Sequence, residues 1–340
     1  MIPGRLRPGA DELDALANTM LIDSIAVVGG LILLIWGADR FVLGAGAGAR
    51  NLGVAPLLIG LTIVAFATSA PEILVSVFAA SRGGSMLAFG NAIGSNIVNI
   101  GLVLGIVAIV KPIQLRSATL RREMPALLAV TLLTVALFLD SFLSRVDGAV
   151  MLIGLVIVMI WLTRLGMRSA ANDPMIAEYE AEIPGGVSMK VAIFWFIVGL
   201  GALLVGAELL VDGAIGIARE IGVSDVVIGV TLVALGTSLP ELAVSVVSAL
   251  KEEHGLAIGN IVGSNIFNLL AVIGVAAALD PSALEQSILA LHVFVMVAFT
   301  LVLFAMTYDY DGKSELSRIE GIALFAAFIA YQSYVFAGAF

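Results

Sequence analysis

The chain has no cysteine in 340 residues. That excludes disulfides, thiolate metal sites and covalent haem attachment. Charge is scarce too: 13% of residues are Asp, Glu, Lys or Arg, against 60% hydrophobic. Soluble domains carry about 25% charged residues, so this composition belongs in a bilayer. The formal net charge of −9 and the lack of any basic cluster argue against a nucleic-acid partner. No metalloprotease motif and no nucleophile–base pair falls within an apolar segment, which argues against an enzyme. The first 20 residues include Arg5, Arg7, Asp11, Glu12 and Asp14. With no apolar run and no small-residue cleavage site there, a cleaved signal peptide is not expected, and residues 1–21 are read as an N-terminal extension, with Met20 as an alternative start.

What the chain does contain is itself, twice. Residues 60–72, GLTIVAFATSAPE, align without a gap on 229–241, GVTLVALGTSLPE, and 90–99, GNAIGSNIVN, align on 259–268, GNIVGSNIFN. Both alignments need one shift of 169 positions, and eight of 13 and seven of 10 residues match. The matches concentrate in Thr, Ser, Glu, Asn and Gly. Lipid-facing positions drift among Leu, Ile, Val and Phe, so a duplication that keeps its polar residues is keeping a site. Duplicated halves with Pro-interrupted polar helices mark secondary transporters.

A helical span needs about 20 apolar residues. On that measure spans are expected near 22–42, 54–80, 86–110, 124–142, 147–165, 190–212, 223–249, 256–279, 285–306 and 319–338. The fold class is therefore an all-α integral membrane protein with ten transmembrane helices. Residues 166–189 form a polar linker between a first five-helix repeat (22–165) and a second (190–340). Five is odd, so the halves enter the membrane in opposite directions and the repeat is inverted. With both termini outside, 12 of the 17 Lys and Arg fall on the cytoplasmic side together with the linker. The positive-inside rule favours that orientation.

Glu72 and Glu241 lie in the middle of apolar spans at repeat-equivalent positions. A carboxylate at the bilayer centre costs about 2.5–3.5 kcal/mol on insertion scales, and neither span offers a Lys or Arg to pair with it. A bound cation is the better partner. The alternative is a pair of protonated glutamates hydrogen-bonded across the bundle. Thr68 and Glu72 share a helix face at a spacing of four, as do Thr237 and Glu241. In the following spans Asn91, Ser95 and Asn99 step by four, and Asn260, Ser264 and Asn268 repeat the step. Each half thus offers one carboxylate and a stripe of neutral oxygens, which suits hard cations such as Ca²⁺ and Na⁺. Pro71 and Pro240 are helix-breaking and leave the carbonyls of Ala67 and Gly236 without their helical donors. The clash also pushes the carbonyls of Ala65, Thr68, Ala234 and Thr237 off the helix axis. Broken backbone at membrane depth persists where it is buried in protein or lines a cavity.

Other residues have plainer readings. Gly90 with Gly94, and Gly259 with Gly263, let helices approach closely. GAGAGAR at 44–50 lacks the spacing, the strand and the acidic partner of a dinucleotide fingerprint. Asp39 and Glu208 are repeat partners near span ends, expected as interfacial caps interacting with Arg40 and Arg50. His292, whose repeat partner is Glu123, is expected to be a buried hydrogen-bonding histidine.

The segment pairs GLTIVAFATSAPE…GNAIGSNIVN and GVTLVALGTSLPE…GNIVGSNIFN resemble the two α-repeats of the cation/Ca²⁺ exchanger superfamily, most closely its prokaryotic sodium/calcium exchangers. The resemblance covers the chain from about residue 22. It implies an alternating-access antiporter of the plasma (inner) membrane, exchanging Na⁺ for Ca²⁺, with these ions as transported substrates and no cofactor. By motif, Glu72 and Glu241 with the carbonyls of Thr68 and Thr237 would bind Ca²⁺. Flanking Na⁺ sites would use Ala65, Thr68, Ser69, Glu72 and Ser95 on one side, and Ala234, Thr237, Ser238, Glu241 and Ser264 on the other. Asn99 and Asn268 would lie between them, and spans 1 and 6 would form a mobile pair sliding across the core. Some archaeal members carry Asp at the position of Asn268. The linker is too short for the regulatory domains of animal exchangers, and a monomer is compatible with the sequence. H⁺/Ca²⁺ antiport, a K⁺-dependent variant and a passive cation channel remain as alternatives.

Overall fold

The computed structural model describes residues 10–52, 68–114, 120–169, 186–285, 288–307 and 315–339. Its helices are α1 (Ala10–Asn51), α2 (Ala70–Ser81), α3 (Ser85–Val110), α4 (Leu120–Leu137), α5 (Arg145–Ser169), α6 (Met189–Ile221), α7 (Asp225–Thr237), α8 (Leu239–Leu250), α9 (His254–Leu279), α10 (288–307) and α11 (Arg318–Ala339). Six of them, α1, α3, α5, α6, α9 and α11, are long and apolar enough to cross a membrane, and the bent pair α7–α8 makes up to seven. Shorter apolar helices cover Ala70–Ser81, Glu123–Leu137 and Ala290–Met306.

Burial separates a centre from a perimeter. The most apolar windows of α3 and α9 are 78% and 83% buried, whereas those of α1, α5, α6 and α11 are 17–33% buried. Thus α3 and α9 form the protein-facing middle, and α1, α5, α6 and α11 lie at the perimeter with most of their apolar windows unburied.

Helices α1 and α6 run against each other along a glycine seam. Gly30 and Gly37 face Gly206 and Gly199, so a Cβ at Gly206 would lie 2.9 Å from the Gly30 carbonyl and 2.9 Å from the Leu34 amide. Only Gly allows backbones this close. Gly44, first of the GAGAGAR glycines, belongs to the same seam against α6. Similarly, a Cβ at Gly90 would meet the Val226 carbonyl at 2.8 Å, which fixes how closely α3 approaches α7.

Helix boundaries depart from the apolar runs where capping decides them. Helix α1 starts at Ala10 rather than near 22, taking in residues expected as a separate extension. Propagating a helix costs little once it is nucleated. Helix α6 runs to Ile221 rather than 212, stopping at Gly222, whose φ of 70° closes the end in the left-handed conformation. The expected span 124–142 ends at Leu137, because Ser141 takes a φ of 60° and the chain turns into a strand. Four two-residue strands are a small departure from an all-α fold: β1 (Ile113–Gln114), β2 (Phe142–Leu143), β3 (Ser282–Ala283) and β4 (Glu315–Leu316).

The helix ends are tied across the two halves. Strand β1 pairs antiparallel with β4, and β2 with β3. Asn51 Nδ2 donates to the Val187 carbonyl at 2.9 Å. Lys111 Nζ donates to Glu252 Oε1 at 2.8 Å, and this bond holds the Glu252 carboxyl below the usual range. Ser85 Oγ donates to the carbonyl and the carboxylate of Asp280, at 2.8 and 2.6 Å. Arg82 pairs with Glu208 at 3.0 Å and with Asp212.

Candidate functional site

The site starts from two breaks in the backbone. Ser69 (φ −88°, ψ 1°) precedes α2, and Ser238 (φ −84°, ψ 3°) separates α7 from α8. Both serines occupy the sparsely populated bridge region, 169 positions apart. Pro71 and Pro240 then fall in the first turns of α2 and α8, where a missing N–H costs nothing and a fixed φ suits the helix. Neither proline can donate to the carbonyl four residues back, so the helix does not continue through it. The result is two segments bent by 41° between α7 and α8, rather than one kinked helix.

The break sets charge against charge. Glu72 and Glu241 lie in the first turns of α2 and α8, where the helix dipole favours a carboxylate. Helix α7 ends at Thr237, directly before the break at Ser238, so the carbonyls of its last turn carry partial negative charge.

Helices α3 and α9 supply the other wall. Each contains a π-helical segment, Asn99–Leu104 in α3 and Asn268–Val272 in α9. Both begin on the repeat-equivalent asparagine. A π segment widens the helix and is common at functional sites.

Side chains from the two halves are joined in one buried network. Thr68, Ser69, Glu72, Ser95, Asn99, Thr237, Ser238, Glu241, Ser264 and Asn268 are at most 4% exposed. Ser69 Oγ donates to Ser264 Oγ at 3.3 Å, and Ser264 Oγ donates to Glu241 Oε1 at 3.1 Å. Thr68 Oγ1 donates to Asn260 Oδ1 at 3.3 Å, and Thr237 Oγ1 to Asn91 Oδ1 at 3.2 Å. Asn99 Nδ2 donates to Asn265 Oδ1 at 3.1 Å.

Several oxygens in this network have no hydrogen-bond donor: Glu72 Oε1 and Oε2, Glu241 Oε2, Asn99 Oδ1, Asn268 Oδ1 and Ser238 Oγ. Buried polar atoms without partners are costly, and α2, α3, α7, α8 and α9 hold no Lys or Arg to satisfy them. The side-chain amides of Asn91, Asn265 and Asn268 also have an unpartnered Nδ2, but none of them reaches the carboxylates, and two buried carboxylates among unpaired neutral oxygens have the chemistry of a hard-cation site. Among the described residues no group of three or more His, Cys, Asp or Glu could hold a metal ion. Two carboxylates with neutral oxygens suit an ion that must also leave.

Of the residues expected at the site, Ala65 lies outside the described residues, as does Ala67. Ala234 is buried, and its carbonyl accepts the Ser238 N–H at 3.1 Å, so it keeps a helical donor and has one lone pair left to offer. Asn265, absent from the expected set, enters through its bond to Asn99. Its only sequence signal is the second asparagine position of the duplicated GSN. Asp39 pairs with Arg40 at 3.3 Å as expected, whereas Glu208 pairs with Arg82 rather than Arg40 or Arg50. His292 is buried, with Nδ1 2.7 Å from the Tyr331 hydroxyl. Glu123 is buried at 5% exposure.

Comparison with known proteins gives the family. The family model described as sodium/calcium exchanger protein matches residues 24–164 and 191–337, one block on each side of the linker. A protein of Alkalimonas amylolytica named as an antiporter, CaxA, is 47% identical over 317 residues, covering 93% of this chain and 99% of its own. The sodium/calcium exchanger MaX1 of Methanosarcina acetivorans is 28% identical over 356 residues, covering 90% and 96%. A solved structure of the sodium-calcium exchanger NCX_Mj, soaked with Na⁺ and Sr²⁺, is 36% identical with a TM-score of 0.65, covering 92% of this chain and 98% of that one. The chain belongs to the prokaryotic branch of the sodium/calcium exchanger family.

Proposed function

We propose that this membrane protein exchanges Na⁺ for Ca²⁺ by alternating access, exporting Ca²⁺ on the inward Na⁺ gradient. The observation that carries the reading is the set of buried acceptor oxygens around Glu72 and Glu241 with no donor to satisfy them. Ca²⁺ binds between Glu72, Glu241 and the carbonyls of Thr68 and Thr237. Na⁺ uses Ala65, Thr68, Ser69, Glu72 and Ser95 in one half and Ala234, Thr237, Ser238, Glu241 and Ser264 in the other, with Asn99 and Asn268 between. Two ionised glutamates are neutralised by one Ca²⁺, whereas three Na⁺ leave a net positive charge. A loaded site is electrically compensated and can be occluded. The empty site exposes two unpaired carboxylates, so crossing empty is slow and the protein exchanges rather than leaks.

The proposed frame is ten spans in two inverted five-helix repeats, 22–165 and 190–340, with both termini outside and 166–189 cytoplasmic. The seven candidate spans and three shorter apolar helices are consistent with it. So are the ties between helix ends. In a chain that crosses ten times, the β1–β4, Lys111–Glu252 and Asn51–Val187 contacts each join two connections on one face, and β2–β3 and Ser85–Asp280 each join two on the other, where Arg82 also reaches Glu208 near the end of the sixth span.

Proton-coupled Ca²⁺ transport is the second reading, favoured by the buried glutamates themselves. The serine and threonine hydroxyls at the breaks favour Na⁺. Uptake of radiolabelled Ca²⁺ into Na⁺-loaded proteoliposomes, with Na⁺, K⁺ and pH gradients varied separately, tests the proposal. Uptake that follows the pH gradient and ignores Na⁺ would overturn it.

A further inference from the structure

Asn91 and Asn260 stand on the same helix faces as the proposed ligands, yet their carbonyl oxygens are already taken. Asn91 is fully buried, and its Oδ1 accepts from Thr237 Oγ1 at 3.2 Å and from Ser95 Oγ at 3.4 Å. Asn260 is 4% exposed, and its Oδ1 accepts from Thr68 Oγ1 at 3.3 Å. Its Nδ2 faces Ser245 Oγ at 3.2 Å and the Glu241 carbonyl at 3.5 Å. Both threonine bonds cross between the halves. Residues 91 and 260 are repeat partners and so are 68 and 237, so the two crossed bonds are one contact used twice.

We propose that Asn91 and Asn260 are positioning residues rather than ion ligands, each holding the threonine of the opposite half in the orientation that the ion site needs. The proposal rests on the ion site described above. Thr68 and Thr237 directly precede the backbone breaks at Ser69 and Ser238, where helical hydrogen bonding no longer fixes the carbonyl direction. A side-chain tether one bond away restores that control. The tether also settles where the hydroxyl proton goes. Thr237 Oγ1 donates to Asn91, and a hydroxyl has one proton to give. Bonded to Asn91, Thr237 leaves both Glu72 oxygens available to a cation. Released from Asn91, that proton would be free for another acceptor of the site and would compete with the ion.

A ligand and a positioning residue fail differently. Thr68 and Thr237 serve both ions in the proposed site, so loosening either one weakens both. In proteoliposomes of the full chain, Asn91→Ala and Asn260→Ala should raise the half-saturating concentrations of Ca²⁺ and Na⁺ by a common factor. That factor is roughly twofold to tenfold, the range for one neutral hydrogen bond. Ser95→Ala should raise chiefly the Na⁺ value. Thr237→Val, which keeps the shape and loses the hydroxyl, should match Asn91→Ala, and Thr237→Ser should recover most of what Val loses. In double-mutant cycles Asn91 should couple to Thr237 and not to Thr68, and Asn260 to Thr68 and not to Thr237. If Asn91→Ala does not yield folded protein, the Val and Ser variants at Thr237 and at Thr68 carry the test. Additive crossed pairs, or a shift confined to one ion, would overturn the proposal. Glu72→Gln in the same assay separates the causes. If it transports normally, the ion site itself is wrong and this inference falls with it. If it is inactive while the crossed pairs are additive, only the positioning role is wrong.

Discussion

Replacing Glu72 by Gln keeps the shape of the side chain and removes half the formal charge at the proposed site. Two unit charges about 4 Å apart at an effective dielectric constant of about 20 interact by roughly 4 kcal/mol. At about 1.4 kcal/mol per tenfold change in affinity, a monovalent ion loses roughly three decades and a divalent ion roughly twice that. Even if screening halves these figures, Ca²⁺ binding falls by about three decades. Glu72 is the harsher test of the pair, because neither of its oxygens has a hydrogen-bond donor while Glu241 Oε1 is held by Ser264 at 3.1 Å. Removing one of two buried carboxylates with incomplete hydrogen bonding should leave the ion-free fold at least as stable, which makes loss of transport interpretable. Two measurements on detergent-purified protein then suffice. Glu72→Gln and Glu241→Gln should melt no lower than the parent without ions. The parent alone should gain stability with Ca²⁺, by about 2.7 kcal/mol at a concentration of 100 times Kd. Reconstituted, neither variant should take up Ca²⁺. Near-normal uptake, or a Ca²⁺-induced stabilisation equal to the parent's, would refute the assignment of the glutamates.

Orientation and packing give two more tests. Cysteines placed at Ser169 and Ser188 in this cysteine-free chain should react with an impermeant thiol reagent from the cytoplasmic side only, and labelling of intact cells from outside would reverse the proposed topology. Gly206→Ala should lower thermal stability by about 1–3 kcal/mol, the usual cost of overpacking, because its Cβ would sit 2.9 Å from backbone atoms of α1 that cannot swing aside; an unchanged melting temperature would mean that the α1–α6 seam is looser than the structure has it.

The central parts of the site were legible because a membrane makes them expensive. A glutamate and a proline each violate what an apolar helix tolerates, and each does so twice at one offset, as Glu72 with Glu241 and Pro71 with Pro240, so chance and packing are poor explanations. Geometry that depends on the other half was not legible. A spacing of four assumes uniform α-helix, and the π segments beginning at Asn99 and Asn268 end that assumption where the site sits. Sequence could say that Asn91 and Ser95 share a face, but not that Asn91 reaches across to Thr237, 146 positions away. For the same reason the sequence does not tell which arginine meets Glu208, whose partner is Arg82, 126 positions away, rather than Arg40 or Arg50. Proline announced a disturbance at 71 and 240, and the structure puts the actual break at the serines two residues earlier. The ribbons β1–β4 and β2–β3 are two residues long, too short to leave any period in the sequence.

The coupling ion is where structure changes the expectation most. As repeat partners, Ser95 and Ser264 look interchangeable: each is a Na⁺ ligand whose loss should spare Ca²⁺. Their hydrogen bonds differ. Ser264 Oγ donates to Glu241 Oε1 at 3.1 Å and accepts from Ser69 at 3.3 Å, so it helps to orient a carboxylate that Ca²⁺ also needs. Ser95 Oγ donates to Asn91 at 3.4 Å, and both Glu72 oxygens are without a donor. Ser95→Ala should therefore raise the Na⁺ concentration required for exchange with little change in apparent Ca²⁺ affinity. Ser264→Ala should raise both, since a charge-assisted bond contributes roughly 1.5–3 kcal/mol, or about one to two decades. Ca²⁺ flux measured against Na⁺ at fixed pH, and then against pH without Na⁺, reads the two effects apart. Equal behaviour of the two variants would mean that the Ser264–Glu241 bond does not persist in the loaded protein. Under proton coupling neither serine would matter to a pH-driven flux, and Na⁺ would be dispensable in the parent as well. Robust Ca²⁺ exchange driven by pH alone, in the complete absence of Na⁺, would sink the sodium reading.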